Sequence, residues 1–240
     1  MLAPTLELRL PPVVLGGRPV LAAQDITLAG GRTTALLGAS GSGKSTLLRL
    51  IAGLLPLPPG GGIAASDGRP LAGRVAWMAQ QDLLLPWRSV LGNVVLGDRL
   101  RGAAPDPDRA RTLLDLVGLL PLAARRPGTL SGGQRQRVAL ARTLMEDRPV
   151  VLMDEPFSAL DAPTRHRLQG LAAGLLAGRT VVLVTHDPAE ALRMAHDVLV
   201  LRGMPAVAEA LPVPPGAPPR PPGIAAASTG ALLAELAEAS

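Results

Sequence analysis

The chain has 240 residues, 48% of them hydrophobic, with a net charge of +5 and no cysteine. That length and apolar content suffice for a buried core and argue against wholesale disorder, while the missing cysteines exclude disulfides, thiolate metal sites and cysteine nucleophiles. The positive balance does not read as a nucleic-acid footprint: lysine occurs once, at Lys44, the arginines are scattered without a basic run, and aromatic residues, at 1%, are too few to stack bases.

From the N-terminus, Met1 to Glu7 carries no basic segment ahead of an apolar one, so no signal peptide is expected. Leu6-Glu7-Leu8-Arg9-Leu10 alternates apolar and polar residues, the pattern of a half-buried strand. Gly16-Gly17 predicts a turn, residues 20–28 a second strand, and 33–37 a short apolar strand that runs into a glycine-rich loop. Residues 47–55 read as a helix that is apolar all round and therefore buried. Residues 47–57 are the richest apolar stretch, yet Arg49 interrupts it and prolines end it, so no segment approaches the roughly 20 residues of a spanning helix. A soluble protein is expected, with any membrane role exercised through a partner.

A strand over 74–78 leads into a more helical region. Asp106-Pro107 supplies an N-cap and a first-turn proline, Ala110, Leu113, Leu114 and Val117 keep helical spacing, and Gly118 closes that helix. Ser131 can cap a second helix to about Glu146. The runs 150–153 and 181–184 are continuously apolar, as central parallel strands covered on both faces should be. Asp187-Pro188-Ala189-Glu190 starts a helix through Ala195, and 198–201 gives a last strand. Residues 211–222 are mostly proline and read as an extended linker, with a weak helix expected around Leu232, Leu233 and Leu236. Strands alternating with helices imply a layered α/β sheet.

Gly38-Ala39-Ser40-Gly41-Ser42-Gly43-Lys44-Ser45 fits G-x-x-x-x-G-K-[ST], in the required place after an apolar strand and at the start of a helix. Its glycines let backbone N–H groups approach phosphate oxygens, and the helix start adds unpaired N–H groups and a positive dipole end. Lys44 supplies a point charge for the outer phosphates, and the Ser45 hydroxyl can ligate Mg²⁺. Further on, an apolar strand ends in Asp154-Glu155, at the carboxyl end where ligands bind in such sheets. Asp154 suits Mg²⁺, and Glu155 suits a general base that polarises water. In Leu130-Ser131-Gly132-Gly133-Gln134, two glycines occupy a first helical turn, although each costs about 1 kcal/mol relative to alanine inside a helix. Something is expected to approach that backbone closely, and a helix N-terminus without side chains implies a second phosphate contact.

Leu-Ser-Gly-Gly-Gln followed by Arg135-Gln136-Arg137 resembles the signature motif of ABC ATPases. The family order also matches over roughly residues 5–205: phosphate loop, glutamine loop, signature and the strand ending in Asp154-Glu155. There follow Ser158-Ala159-Leu160-Asp161, which resembles the D-loop, and His186 in Val184-Thr185-His186-Asp187, which resembles the switch histidine.

The resemblance implies a P-loop NTPase with a RecA-like core, an antiparallel β subdomain and an inserted helical signature subdomain. The boundaries it implies are a domain over 1–205, with core segments at about 1–79 and 148–205 and the helical part at about 80–147, and a Pro/Ala-rich tail over 206–240. It implies ATP and Mg²⁺ as ligands, with Gly38, Ala39, Ser40, Gly41, Ser42, Gly43, Lys44, Ser45 and Thr46 holding the nucleotide. Ser45, Gln80 and Asp154 would serve the metal, and Glu155, His186 and Gln80 the hydrolysis, with Gln81 as the alternative to Gln80. Ser131, Gly133 and Gln134 would act on the nucleotide of a second copy, in a head-to-tail dimer, and Gly132 and Asp161 complete the implied nucleotide-binding set.

His166 and His196 match no motif and are expected to be packed or surface residues. The family's adenine-stacking aromatic is replaced by Leu15, which offers apolar contact without a π-face. Residues 83–87, Leu-Leu-Leu-Pro-Trp, read as core leucines beside a surface that receives a helix of a membrane permease.

Met78-Ala79-Gln80-Gln81-Asp82 through Trp87 is similar to the nitrate, sulfonate and taurine importer branch, including importers of a thiamine pyrimidine precursor, so the resemblance implies that hydroxymethylpyrimidine-type precursor as the solute, with a nitrate-, sulfonate- or taurine-like solute as the other option. That implies an ATPase peripheral to the cytoplasmic face of the inner membrane, with a permease and, indirectly, a substrate-binding protein as partners and no nucleic acid. The alternative is a non-transport ABC ATPase of DNA repair or translation. Those relatives carry coiled-coil insertions or tandem nucleotide domains, which the compact motif spacing here does not accommodate.

Overall fold

The computed structural model describes residues 3–224 and 228–230. The chain forms two compact units. The first comprises Met1–Val75, Pro149–Asp154 and Ala177–Ser240, and the second Ala76–Arg148 and Glu155–Leu176.

In chain order the first unit holds β1 (Leu6–Leu10), β2 (Val13–Leu15), β3 (Arg18–Leu21), β4 (Gln24–Leu28), β5 (Thr33–Gly38), α1 (Lys44–Ile51) and β6 (Gly62–Ala65), after which β7 (Val75–Met78) carries the chain out of it. Leu6, Leu8 and Leu10 of β1 are buried while Glu7 and Arg9 are exposed, as the alternation requires. β1 pairs antiparallel with β4 on one side and β6 on the other.

The expected strand over 20–28 is two strands, β3 and β4. Ala22 N–H donates to the Ala206 carbonyl, and Ala206 N–H to the Val20 carbonyl, both at 2.9 Å. Backbone groups that a continuous strand would have used are thus bonded to a segment far along the chain. The helix expected over 47–55 ends at Ile51, and Arg49 lies exposed on it, so one side faces solvent.

The chain returns to the first unit as β8 (Val150–Asp154) and, after a second excursion, as β9 (Thr180–Val184), α7 (Pro188–Met194), β10 (Asp197–Arg202) and β11 (Val207–Leu211). β5 lies between β10 and β9, parallel to both, and β9 pairs in parallel with β8. β8 and β9 are buried at every position, which explains their unbroken apolar sequence.

The two faces of β5 sort by parity. Leu36 joins a core with Leu6, Leu8 and Leu10 of β1 and Leu47, Leu48 and Ile51 of α1. Leu37 joins a second core with Ala191 and Leu192 of α7 and Val198 of β10. The sheet is therefore covered on both sides.

The strand expected over 198–201 is not the last: at the start of the tail expected over 206–240, and ahead of the linker expected over 211–222, β11 pairs antiparallel with β10. Further on, Arg220 is buried at 3% exposure and its Nη1 donates to the carbonyls of Leu192 (2.7 Å) and Ala195 (2.6 Å), at the last turn of α7. The helix expected around Leu232, Leu233 and Leu236 lies outside the described residues.

The second unit contains α2 (Val90–Val94), α3 (Leu96–Leu100), α4 (Pro107–Leu116), α5 (Gly132–Met145) and α6 (Ala162–Leu175). It therefore extends past the helical segment expected at 80–147, taking in 155–176 as well. Asp106 Oδ1 accepts from Arg109 N–H at 2.9 Å at the start of α4, and Gly118, with φ +70°, follows its end. Asn93, fully buried, accepts from Leu85 N–H at 2.7 Å and donates to the carbonyls of Leu85 (3.2 Å) and Ser89 (2.9 Å), which folds 85–89 around it.

Candidate nucleotide site

In the first unit, the register of the parallel sheet sets three strand ends side by side. Asp154 of β8 lies opposite Val184 of β9, and Val184 lies opposite Leu36 of β5. The loop after β5, the carboxylate of Asp154 and the loop bearing His186 therefore leave the sheet at one edge, the edge where open α/β sheets bind ligands.

The loop from Gly38 to Gly43 needs its glycines. Gly38 has φ +144°, and a Cβ there would sit 2.8 Å from the Leu201 carbonyl. Gly43 starts α1 with φ +95° and no side-chain cap, so the first N–H groups of the helix have no side-chain acceptor at that position. Lys44 is 9% exposed, and its Nζ donates to the carbonyls of Gly38 and Ala39, both at 2.8 Å. The chain's single lysine thus centres its charge inside the loop.

One residue on, Ser45 Oγ donates to Asp154 Oδ2 at 2.8 Å, across 109 positions of sequence. Asp154 is 5% exposed. The pair offers hard oxygen donors only, which fits a small divalent cation such as Mg²⁺. Thr46 is half-buried on α1, while Ala39, Ser40 and Gly41 are exposed and Ser42 is half-buried.

His186 is exposed after β9, on a loop held from beneath. Buried Thr185 donates from Oγ1 to Glu190 Oε2 at 2.6 Å and accepts from Asp187 N–H at 3.0 Å. Asp187 Oδ1 accepts from Ala189 N–H at 2.9 Å, which caps α7. His196 plays another part: its Nδ1 accepts from Thr33 N–H at 3.0 Å, at the start of β5. Burial, assisted by the nearby Arg32 charge, holds its imidazole below the ordinary value. His166 is exposed on α6. Leu15 is 39% exposed, beside the Gly16-Gly17 turn that joins β2 to β3.

In the second unit, Ser131 caps α5 by a capping box. Its Oγ accepts from Gln134 N–H at 3.2 Å, and its own N–H donates to Gln134 Oε1 at 2.8 Å. Gln134's side-chain oxygen is thereby engaged within the motif. The two glycines that follow differ. A Cβ on Gly133 would meet the Ala159 carbonyl at 2.9 Å, whereas one on Gly132 would meet nothing closer than Arg135 Nη2 at 4.0 Å. The close approach expected of both glycines is thus made at Gly133 by the same chain, and only Gly132 leaves the helix end open.

Met78, Gln80, Gln81, Gly132, Gln136 and Ser158 are among the residues lining a groove of about 430 Å³ in this unit. Gln80 and Gln81 are both exposed there, so geometry does not separate them. Their segment is tied to α5: Arg135 Nε donates to Asp82 Oδ2 (2.9 Å), and Arg142 donates to the carbonyls of Leu83 (2.9 Å) and Asp82 (2.7 Å). Trp87 is 67% exposed.

Glu155, half-buried, adopts φ +50° at the head of the turn 155–159. Asp161 Oδ1 accepts from Thr164 N–H at 3.0 Å and caps α6, and these bonds hold its carboxyl below the usual range. Sequence reasoning did not single out Gln136, which is 7% exposed and bonds to the 155–159 turn, nor Thr185 and Glu190 beneath His186. A glutamine between two arginines gives no periodic signal of burial. Glu190 was legible only as part of a helix start.

Comparison with known proteins follows the same lines. The chain matches the ABC transporter family over residues 21–158. It is 50% identical over 188 residues to the aliphatic sulfonates import ATP-binding protein SsuB 3 of Nocardia farcinica, covering 78% of this chain and 72% of that protein. It is 47% identical over 190 residues to the taurine import ATP-binding protein TauB of Pseudomonas fluorescens, covering 76% of this chain and 71% of that protein. Among solved structures, the dimeric post-hydrolysis state of the ATP-binding cassette MJ0796 bound to ADP and Pi matches with a TM-score of 0.72 at 30% identity, over 81% of this chain and 93% of that one.

Proposed function

This chain belongs to the ABC transporter family of ATP-binding proteins, and on that premise we propose that it is the ATP-hydrolysing subunit of a solute importer, acting as a dimer of two copies against a separate membrane permease. The observation that carries the reading is the shared sheet edge, where the Lys44 loop, the Ser45–Asp154 pair and the His186 loop emerge together.

In this reading, the loop N–H groups from Gly38 to Ser45 and the Lys44 ammonium bind the β- and γ-phosphates. Ser45, Asp154 and Gln80 would hold Mg²⁺, which supplies charge neutralisation on the phosphates as the leaving group departs. Glu155 accepts a proton from the attacking water, and His186 bonds the γ-phosphate. From the second copy, Ser131 and the open backbone at Gly132 close over that phosphate, with Gly133, Gln134 and Asp161 supporting the same surface. Ser131 Oγ accepts within the capping box, so its own proton is left to donate outward. Leu15 lies against the adenine without stacking on it.

Trp87 and the neighbouring apolar segment form the contact with the permease, so the chain sits peripherally at the cytoplasmic face of the inner membrane and works with a substrate-binding protein only indirectly, through the permease. Among the described residues no helix is long and apolar enough to cross a membrane. The solute is an organic sulfonate of the taurine type, the class named for the two importer subunits compared above.

Glu155→Gln tests the chemistry. The variant should bind ATP, form a stable dimer on size-exclusion chromatography and hydrolyse at least about 10²-fold more slowly, the scale of a lost general base. Normal turnover by this variant would refute the role given to Glu155. With the permease reconstituted, ATPase stimulation by a sulfonate-loaded binding protein tests the solute.

A further inference from the structure

We propose that Gln136 is a positioning residue for hydrolysis: its amide holds Glu155 in the backbone conformation from which the carboxylate acts. The proposal rests on the reading of Glu155 as the general base. Gln136 lies on α5, 7% exposed, and nearly all of its polar capacity goes to one turn. Nε2 donates to the Glu155 carbonyl at 2.9 Å and to Ser158 Oγ at 3.2 Å, while Oε1 accepts from Ala159 N–H at 2.9 Å. Ser158 Oγ in turn donates to the same Glu155 carbonyl at 3.1 Å. One side chain thus ties both ends of the 155–159 turn.

The turn needs such a tie because Glu155 has φ +50°, a left-handed conformation that non-glycine residues adopt at a cost and keep only where their surroundings enforce it. The enforcing bonds fall on the carbonyl of Glu155 itself, so they fix the peptide plane that follows its Cα. If they were released, the residue would relax towards negative φ, and the Cα–Cβ bond, which φ and ψ orient, would swing the carboxylate to a different place. The same helix begins at the Ser131–Gln134 cap, and Ala159, bonded to Oε1, is the residue whose carbonyl abuts Gly133. The signature helix and the turn bearing the base are therefore joined through Gln136, and a displacement of the helix end reaches Glu155 by covalent and hydrogen-bonded links.

The test uses the full chain with two substitutions. Gln136→Glu keeps an acceptor for Ala159 N–H but turns the donor facing the Glu155 carbonyl into an oxygen. Gln136→Leu fills much of the volume without either bond. Each should lower kcat by at least about 30-fold, close to 2 kcal/mol of barrier, while the Kd for a fluorescent ATP analogue stays within about twofold, because the loop that binds phosphates belongs to the other unit.

Proton rescue gives an independent readout. Burial raises the pKa of the introduced carboxyl, and once protonated it can donate to the Glu155 carbonyl again. The ratio of Gln136→Glu to parental kcat should therefore rise as pH is lowered from about 8 to about 6. A folded variant with parental kcat, a matched loss of ATP affinity, a pH-independent ratio or failure of both variants to fold would overturn the proposal. If Glu155→Gln is inactive while Gln136→Glu turns over normally, this inference alone falls; if Glu155→Gln hydrolyses ATP, the function reading falls first.

Discussion

Alanine at Gly132 and at Gly133 should change stability in opposite directions while harming hydrolysis in both cases. Neither glycine has a positive φ, so alanine suits the backbone at both positions and removes freedom from the unfolded chain, a gain of about 0.4–1 kcal/mol. At Gly132 nothing opposes that gain, since the added methyl lies 4.0 Å from a flexible arginine tip. At Gly133 the methyl would sit 2.9 Å from the Ala159 carbonyl and 3.4 Å from Leu160 Cδ2. The nearer atom is backbone, so the turn itself must move, at about 1–3 kcal/mol. The net expectation is a Tm higher by about 1–4 °C for Gly132→Ala and, with a mid-range gain of about 0.7 kcal/mol set against the cost, lower by roughly 1–9 °C for Gly133→Ala, at about 2–4 °C per kcal/mol for a chain of this size. Calorimetry or urea unfolding of nucleotide-free protein reads this directly.

ATPase assays on the same samples should show turnover reduced at least about tenfold in both variants, about 1.4 kcal/mol. In Gly132→Ala a methyl blocks the open helix end, and in Gly133→Ala the 155–159 turn is displaced. A destabilised Gly132→Ala, or a Gly133→Ala as stable as the parent, would refute the packing argument. A stabilised and fully active Gly132→Ala would refute the phosphate contact at that helix end.

Ser45→Ala should raise the Mg²⁺ concentration for half-maximal ATPase at least about tenfold, measured by titration with total nucleotide held fixed; an unchanged midpoint would separate the hydroxyl from the metal. Arg220→Ala should lower unfolding free energy by about 2–4 kcal/mol, because two carbonyls at the end of α7 lose their charged donor; a urea midpoint equal to the parent's would contradict that anchoring. His196 predicts a pH effect. Its folded-state value lies below the ordinary 6.5, so below that pH the unfolded chain takes up a proton the folded chain resists, and stability falls as pH falls. The contribution is fully present above 6.5; in His196→Gln this part of the slope should vanish, and an unchanged slope would exclude His196 as its source.

What the sequence determined by itself depends on neighbours within a few residues. Strand alternation at Leu6–Leu10, caps at Asp106, Ser131 and Asp187, and the glycine loop before Lys44 are local: each follows from a side chain bonding nearby N–H groups or from a φ that only glycine adopts readily. α6 was illegible because Ala162–Leu175 holds two glycines and buries only Leu168, Gln169 and Ala172, too little for a periodic stripe.

The tertiary structure alone decided the rest. Ser45 meets Asp154 only because β5, β9 and β8 align in parallel, a pairing that long-range burial fixes and no local pattern encodes. The break between β3 and β4 comes from Ala206, the order in the expected tail from β10 and α7, and the tightness at Gly133 from Ala159. Gln136 reads as one more polar residue of a helix until folding buries its amide against the Glu155 turn. A buried hydrogen-bonding group must then find partners, and those partners are set by which surfaces meet.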